Sequence, residues 1–427
     1  MVLRPRRRDG HRRRCRERDQ RTRSRRSTVG LIGMLGRGLD DSFDPEIRRN
    51  ITAVTAARLV TNSCYRFAPP FLAIIAKGFN ASIEDIGIAL AISELTGLTS
   101  PMAGRLVDRL THRTSMLLGL IGTALGCVIA ALAPNLVVFG IGVAVLALTK
   151  QSFDLGLGSW IADHVKYEQR GRIVGLTETS WALGLLVGVS AMGVITALSS
   201  WRVAYWVGIG SLVFFIVIIA GRINSEPRAT HEHVHGAPKR ITGHAWLVVA
   251  TMFCIMASAQ NLFVTFGAWL EDDFGFGAAR ISAVGFLVGG IELVASTSSA
   301  RLTDSWGKEN SIALGALLIV PSGILLALGG SNMAIGVTAV IIYFMGFEFS
   351  VVSLLPVATQ LVPNNPGAGL GWVLGAGTVG RAVMSRVATT SYTEYGIGAP
   401  ALIGAAFAVL GAACILAFRR RGGAHLG

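Results

Sequence analysis

Runs of about 20 apolar residues, separated by short polar breaks, constrain the fold of this chain most strongly. Each run is long enough to cross the hydrocarbon core of a bilayer as a helix. Because lipid offers no hydrogen-bond partner to backbone amides, an open chain crosses it only as helices. The pattern therefore predicts an all-α membrane protein with twelve transmembrane helices, near residues 51–76, 83–103, 115–133, 136–160, 172–195, 203–223, 244–270, 279–299, 310–328, 333–358, 368–390 and 399–418.

The composition supports a membrane protein. Only 15% of the 427 residues are charged, whereas about 25% are charged in a typical soluble protein. The chain contains 52 glycines, and small residues allow the backbones of membrane helices to approach closely. Pro69 and Pro70 in the first run and Pro356 in the tenth predict kinks in those helices.

Basic residues predict the orientation of the helices. They are concentrated in the even-numbered connections, and connections on the cytoplasmic side of a membrane are the basic ones. We therefore expect a multi-pass protein of the plasma membrane (the inner membrane of a bacterium) with both termini in the cytoplasm. The basic residues concerned are Arg105, Arg109, Arg113, Lys166, Arg170, Arg172, Arg222, Arg228, Lys239, Arg240, Arg301, Lys308, Arg419, Arg420 and Arg421.

The formal net charge of +14 comes mostly from the amino-terminal tail, since residues 1–26 contain thirteen arginines. Basic tails of this kind bind nucleic acid or anionic lipid in some proteins. We expect instead a disordered cytoplasmic tail over residues 1–50, with no nucleic-acid partner.

The longest polar break, residues 224–243, predicts a cytoplasmic linker between two halves of six helices each. The halves would be residues 51–223 and 244–418, followed by a short tail, residues 419–427. His231, His233 and His235 in the linker could bind a metal weakly, but no further ligands are close in sequence. We expect a solvated linker, no metal site and no cofactor. The sequence has no Walker loop, so ATP-driven transport is not expected. It also has no strand–Gly-rich–helix unit for a nucleotide, no His/Cys metal cluster and no nucleophile elbow, so enzyme activity is not expected.

The loop between the second and third predicted helices carries a motif, Gly104-Arg105-Leu106-Val107-Asp108-Arg109-Leu110-Thr111-His112-Arg113. A degenerate copy lies between the eighth and ninth helices, at residues 300–308. The same loop at the same place in two halves resembles the major facilitator superfamily of secondary transporters. The resemblance covers residues 50–420 or so. It implies two pseudo-symmetric six-helix bundles around a central cavity, a small-molecule substrate and transport by rocking of the halves.

The resemblance also implies that the loop gates the cytoplasmic side. A carboxylate at a helix end can cap the positive end of a neighbouring helix, and fixed cations can pair with acidic groups of the other half. The alternative is that the arginines only hold the loop inside. In this chain Thr111 replaces the usual glycine, and His112 replaces a permanent cation. The implied gating residues are Gly104, Asp108, Arg109 and Arg113, with Asp163 as a partner and Asp304 in the copy.

Ionisable side chains within the predicted helices are costly and are therefore candidate functional groups. Arg58 and Arg386 lie toward helix ends, where they can extend to the interface, and Glu178 also lies near an end. Lys150 and Asp154 are four residues apart and can form an ion pair on one helix. The complete set is Arg58, Arg66, Glu94, Lys150, Asp154, Glu178, Glu292, Glu348, Arg381 and Arg386.

The candidates for proton coupling are carboxylates near the middle of a helix, because a carboxylate in a dry cavity can bind and release a proton near neutral pH. They are Glu348, Glu292 and Glu94, with Asp154 behind them. The substrate-binding candidates are Arg66 beside Tyr65, and Arg381, which could hold an anionic group or serve as counter-ions of these carboxylates.

The seventh helix offers further substrate contacts. Gln260 and Asn261 could donate hydrogen bonds. The aromatic side chains of Phe263, Phe266 and Trp269 form either an aromatic wall or a lipid-facing stripe. In the fifth helix, Gly184 and Gly188 favour close helix packing over an antiporter signature, since Val189 stands where drug–proton antiporters usually have proline.

Three functions remain open at this point. The first is proton-coupled export of a small amphipathic compound or drug. The second is proton-coupled uptake of an organic anion, and the third is a membrane sensor that does not transport. In each case we expect a monomer surrounded by the lipid bilayer, and in the first two we expect protons as the coupling ion.

Overall fold

The computed structural model describes residues 43–99, 110–165, 167–224, 243–362 and 366–422, together with residues 39 and 241. Its α-helices are α1 (Pro45–Arg66), α2 (Leu72–Phe79), α3 (Ile83–Leu95), α4 (His112–Leu132), α5 (Leu136–His164), α6 (Tyr167–Leu183), α7 (Ser190–Leu198), α8 (Trp201–Arg222), α9 (Trp246–Phe263), α10 (Phe266–Phe274), α11 (Ala278–Trp306), α12 (Lys308–Gly329), α13 (Met333–Ala358), α14 (Pro366–Tyr395) and α15 (Gly398–Arg420). Short 3-10 turns occur at Pro69–Phe71, Thr96–Thr99 and Gly243–Ala245, and a π-helical turn joins α6 to α7 at Gly184–Val189.

The helical architecture confirms the predicted fold class. The described residues form helices and no strand. Within this part of the chain, nine helical segments are long and apolar enough to cross a membrane, compared with the twelve predicted from the sequence. The other three predicted helices correspond to α1 with α2, to α3 and to α14. Of these, α3 has only 13 described residues, and α14 carries many polar side chains.

The helix starts are encoded locally. Ser82 and Asp85 form a reciprocal capping box at the start of α3, and the side chain of Asn135 accepts from the Val138 amide at the start of α5. Ser200 and Asn332 cap α8 and α13 in the same way. Such caps satisfy amides that have no partner within the helix.

The first helix differs from its prediction at both ends. It begins at Pro45, inside the predicted tail of residues 1–50, because Pro45 suits the first helical position and Asp44 accepts from the Glu46 amide. It then ends at Arg66, and a 3-10 turn through Pro69 and Pro70 leads into α2. The predicted kink is therefore a break in the helix. The rest of the predicted tail, residues 1–38 and 40–42, lies outside the described residues, as do linker residues 225–240 and 242 and tail residues 423–427.

The helices pack in two groups. Helices α1 to α8 contact mainly one another, and so do α9 to α15. In each group one antiparallel pair is packed with its backbones close together. A Cβ added at Gly126 of α4 would lie 2.6 Å from the Leu146 nitrogen of α5, and one added at Gly346 of α13 would lie 2.6 Å from the Gly315 oxygen of α12. Small residues therefore allow close packing of an equivalent helix pair in each group, α4 with α5 and α12 with α13.

Two long contacts join the groups. Helix α3 packs against α14, and α11 packs against α6, the π-helical turn and α7. A third contact lies at the end of the molecule where α2 finishes, which we call the Lys77 end. Here the Lys77 amine bonds the Glu271 carboxylate, and a Cβ added at Gly267 would lie 2.7 Å from the Pro70 carbonyl carbon. The groups therefore meet closely at the Lys77 end.

The surface away from these contacts is apolar. Large side chains such as Phe214 and Val217 on α8 are more than half exposed, although they are apolar. Leu198 and Leu328 at the Lys77 end are more than four-fifths exposed. An apolar surface of this extent belongs in lipid rather than in water.

Candidate functional site

A buried ion pair joins the two groups of helices in the middle of the molecule. Arg66, at the end of α1, donates from Nη1 to Glu292 Oε2 at 2.9 Å and from Nη2 to Glu292 Oε1 at 2.7 Å. Glu292 lies halfway along α11 and is completely buried, and Arg66 is 5% exposed. A bidentate guanidinium–carboxylate contact of this kind has both strength and a fixed geometry.

Two aromatic rings enclose the Arg66 guanidinium. Its central carbon lies 4.4 Å from the centroid of the Trp181 ring and 5.2 Å from that of Phe263. Arg66 Nη1 also donates to the Trp181 carbonyl oxygen at 2.9 Å. Arg66 is therefore held by its own group of helices through Trp181 and by the other group through Glu292 and Phe263.

A second ion pair crosses between the groups through α3 and α14. Arg381 Nη2 contacts Glu94 Oε2 at 2.6 Å and donates to the Tyr65 hydroxyl at 2.5 Å. The Tyr65 hydroxyl in turn donates to Glu94 Oε1 at 2.8 Å. Tyr65 and Arg66 are consecutive, so the end of α1 contributes to both of these ion-paired contacts.

A third cluster lies within the first group. Arg58 Nε contacts Asp154 Oδ1 at 3.0 Å, and Arg58 Nη1 contacts Glu178 Oε1 at 2.9 Å. Lys150 Nζ contacts Asp154 Oδ2 at 2.5 Å, which is the ion pair that the sequence allowed. The expectation that Arg58 extends to the interface is wrong. Its side chain is 12% exposed and turns inward, because two carboxylates of α5 and α6 lie beside it.

Glu348 differs from the other buried carboxylates. It lies on α13, is 4% exposed and accepts a hydrogen bond from Ser296 Oγ at 2.6 Å. Among the described residues, no lysine or arginine lies within ion-pair distance of Glu348, whereas Arg58, Arg66, Lys150 and Arg381 each contact a carboxylate. These four cations contact four carboxylates, those of Glu94, Asp154, Glu178 and Glu292. Glu348 is a fifth carboxylate, and none of the four cations contacts it.

The remaining substrate candidates form contacts within the second group. Gln260 Nε2 donates to Ser385 Oγ at 2.8 Å, which ties α9 to α14. Asn261 is completely buried and donates to the Ala257 carbonyl oxygen at 2.8 Å. Phe266 and Trp269 are also completely buried, so these two rings do not form a lipid-facing stripe. A role of Gln260 and Asn261 in binding substrate stays a prediction.

The predicted gating residues are only partly within the described chain. Gly104, Asp108 and Arg109 lie outside it, as does the side chain of Asp304. Asp163, at the end of α5, contacts His112 Nε2 through Oδ2 at 2.8 Å. This contact is with the histidine of the motif, and the expected pairing of Asp163 with an arginine of the loop stays a prediction.

The second copy of the motif is not a loop. Helix α11 continues to Trp306, so residues 300–306 are helical, and α12 begins at Lys308. The single connecting residue, Gly307, has a φ of 86°, which glycine adopts without strain. A glycine at this position therefore allows a connection of one residue.

The fifth predicted helix contains the close packing expected for its glycines. Gly184 and Gly188 lie in the π-helical turn and face α1. A Cβ added at Gly188 would lie 2.5 Å from the Ser63 Cβ, and one at Gly184 would lie 3.0 Å from the Asn62 Cβ. Both glycines are thus required for the approach of α1.

Trp181 is the residue of this site that sequence reasoning missed. Its ring contacts Arg66 and lies 5.8 Å from Lys150 Nζ, and its centroid lies 6.5 Å from that of Tyr65. Tryptophan is usually enriched at the membrane interface. A tryptophan near the middle of a predicted helix, three residues after Glu178, was a signal for a buried polar site.

Comparison with known proteins identifies the family. A family model described as Major Facilitator Superfamily matches residues 54–385. The chain is 25% identical over 361 residues to the uncharacterized MFS-type transporter YwfA of Bacillus subtilis, an alignment that covers 80% of this chain and 85% of YwfA. It is 22% identical over 330 residues to Multidrug resistance protein 1 of B. subtilis, covering 74% of this chain and 83% of that protein.

The fold is also that of solved transporters. A bacterial homolog of the human lysosomal transporter Spinster, in an inward-facing and unoccupied conformation, superposes with a TM-score of 0.73. The superposition covers 88% of this chain and 98% of the other, at 12% sequence identity. At this identity the likeness concerns the fold alone.

Proposed function

The chain belongs to the major facilitator superfamily of membrane transporters, and we propose that it exports a small amphipathic compound in exchange for protons. Glu348 is the proton carrier in this proposal. Arg66 with Glu292, and Arg381 with Glu94 and Tyr65, are the contacts that form and break as the two groups of helices rock. The gradient of protons, and not ATP, supplies the energy.

The observation that carries the proposal is the pairing of the buried charges. Arg58, Arg66, Lys150 and Arg381 each contact a carboxylate, whereas Glu348 is buried with a hydroxyl as its hydrogen-bond partner. Burying a carboxylate without a counter-ion is costly, and binding a proton removes that cost. Exposure of the same group to water allows the proton to leave. A site of this kind exchanges protons as its access changes.

The two ion pairs between the groups give the rocking motion a chemical consequence. When the groups part, Arg66 leaves Glu292 and Arg381 leaves Glu94, and each carboxylate then needs another partner. That partner is a proton or a substrate. Alternating access around a site between the two halves is the general mode of such transporters.

Similarity to Multidrug resistance protein 1 of B. subtilis supports export as the direction. Uptake of an organic anion is the alternative, with Arg66 and Arg381 as anchors. Both arginines already contact carboxylates at 2.7 Å and 2.6 Å, so an anion would have to displace a glutamate from each of them. The paired arginines therefore disfavour an anionic substrate, and the similarity favours export.

The proposal includes an orientation. Both termini lie in the cytoplasm of a cell whose plasma membrane the chain crosses, so the Lys77 end faces outward. The loop with Gly104, Asp108 and Arg109, together with Arg113, gates the cytoplasmic side. The two bundles are residues 51–223 and 244–418, and the protein acts as a monomer.

A susceptibility panel tests the proposal. Wild type, Glu348→Gln and Asp108→Asn are expressed at matched levels in an efflux-deficient bacterium, with the exposed Glu394→Gln as the control variant. Cationic, neutral and anionic toxic compounds are compared. We expect wild type and Glu394→Gln to protect the cells and the other two variants to lose most of the protection.

Three results would contradict the proposal. Sensitisation of cells to anions by wild type would favour uptake of an organic anion. Full protection by Glu348→Gln would show that Glu348 is not the proton carrier. Proton release that persists in the purified Glu348→Gln variant in liposomes would confirm that result. Protection that persists in Asp108→Asn as well would favour a membrane sensor that does not transport.

A further inference from the structure

We propose that Glu292, Trp181 and Phe263 form a binding site for an organic cation, and that Arg66 occupies this site in the structure as a built-in ligand. The inference rests on the proposed transport function and specifies the charge of the substrate. It concerns the site between the two groups of helices, where a substrate can be reached from either side of the membrane in turn.

The contacts of Arg66 show what this site accepts. The guanidinium meets both oxygens of Glu292, at 2.7 Å and 2.9 Å, and lies 4.4 Å and 5.2 Å from the centroids of Trp181 and Phe263. A carboxylate combined with two aromatic faces is the arrangement in which proteins bind amidinium, guanidinium and alkylammonium groups. A planar organic cation would reproduce each of these contacts.

The partners of Arg66 and Glu292 are unequal, and this inequality decides which of the two needs a ligand. Arg66 keeps the Trp181 carbonyl oxygen and the Trp181 ring when the groups part, because α1 and α6 belong to the same group. Both hydrogen bonds that Glu292 accepts from described residues come from Arg66. Separation therefore takes both of these hydrogen bonds from Glu292, whereas Arg66 retains its hydrogen bond to Trp181.

The surroundings of Glu292 favour a cation over an anion. One helical turn along α11, Ser296 holds the second buried carboxylate, Glu348. The ring of Phe263 packs against Phe344, with centroids 4.4 Å apart, so the aromatic face continues along this wall. An acidic and aromatic wall attracts organic cations and repels carboxylates.

Equilibrium binding of three probes with one aromatic ring tests the inference. Benzamidinium is a cation, benzamide is its neutral analogue and benzoate is its anionic analogue. Binding of each to purified protein in detergent is measured by calorimetry without any proton gradient. We expect wild type to bind benzamidinium more tightly than the other two, and Glu292→Gln to lose that preference.

Removal of the built-in ligand provides the decisive comparison. In Arg66→Ala the competitor is gone, so benzamidinium should bind about tenfold more tightly than in wild type, the factor expected if Arg66 fills the site nine-tenths of the time. The matched control is Arg386→Ala, which removes an exposed arginine of α14 and should leave the affinity unchanged.

Several results would overturn the inference. Tighter binding of benzoate than of benzamidinium by wild type, with loss of that binding in Arg66→Ala, would make Arg66 an anion anchor. Equal binding of all three probes, or binding of none, would also refute a cation site, and these outcomes require only the wild-type protein. Proton-driven transport that is lost in Glu348→Gln would stand in either case, so a failure of the cation site is distinguishable from a failure of the transport function.

Discussion

Replacing Gly289 by alanine should hold the two groups of helices apart. A Cβ at this position would lie 2.6 Å from the Leu186 Cα in the π-helical turn, whereas ordinary contacts begin at 3.4 Å. The atom it meets is backbone and cannot rotate away, so α11 must retreat by about 1 Å. Overpacking of this kind costs about 1–3 kcal/mol. The equilibrium between closed and parted arrangements should therefore shift about 5- to 150-fold toward parting.

Distance measurements between spin labels at the Lys77 end can detect this shift. Leu198 and Leu328 are 82% and 83% exposed and belong to different groups, so cysteines at these positions accept labels without disturbing the packing. We expect Gly289→Ala to populate a longer distance at the expense of the wild-type one. Cys15 and Cys414 are replaced by serine for this experiment, and Cys64, Cys127 and Cys254 are kept because they are buried.

Gly285→Ala is the matched control. Gly285 lies one turn earlier on α11, and a Cβ added there would have no atom within 4 Å. Its distance distribution should equal that of wild type. If Gly289→Ala is folded and also gives the wild-type distribution, then the contact between α11 and the π-helical turn does not hold the groups together, and our reasoning is refuted.

Two further substitutions test the charged contacts. Arg58→Ala removes the partner that Asp154 and Glu178 share and should cost about 1–3 kcal/mol of stability, measured by unfolding in detergent, since both carboxylates are partly exposed and Asp154 keeps Lys150. The double variant with Glu178→Ala should recover part of this cost, and an unchanged stability of the single variant would contradict the pairing. Lys77→Ala should shift the closing equilibrium less than about fivefold, because the Lys77 side chain is 67% exposed and such bridges contribute below about 1 kcal/mol. A shift as large as that of Gly289→Ala would show that the Lys77–Glu271 contact dominates closure.

The sequence predicted the charged side chains of the candidate site, but not Trp181 and not which cation pairs with which carboxylate across the two groups of helices. Charged groups within apolar runs are conspicuous because lipid disfavours them, and Arg66, Glu292, Glu348 and Arg381 were found in this way. Their partners depend on which helix faces meet. The pairing of Arg66 with Glu292, 226 positions apart, follows from tertiary packing that no local pattern reveals.

One error and one alternative that the sequence left open have the same physical origin. Arg58 was assigned to the interface from its distance to a helix end, but two carboxylates of other helices hold it inside. Phe266 and Trp269 could not be distinguished from lipid-facing residues, since the inner and outer surfaces of a membrane protein are both apolar. In a soluble protein, water would have marked the outer face with polar residues.

The pairing of buried charges also determines how the membrane potential acts on the protein. Moving one charge through a potential of 100 mV involves about 2.3 kcal/mol. Arg58, Arg66, Lys150 and Arg381 lie beside carboxylates, so rocking of the helices carries almost no net charge through the field. If the chain exchanges protons for its cargo as proposed, only the proton and the cargo then sense the voltage. Exchange of one proton for one monovalent cation would be electroneutral, whereas exchange for a neutral compound would generate a current. A current measurement can therefore show the charge of the cargo before its identity is known.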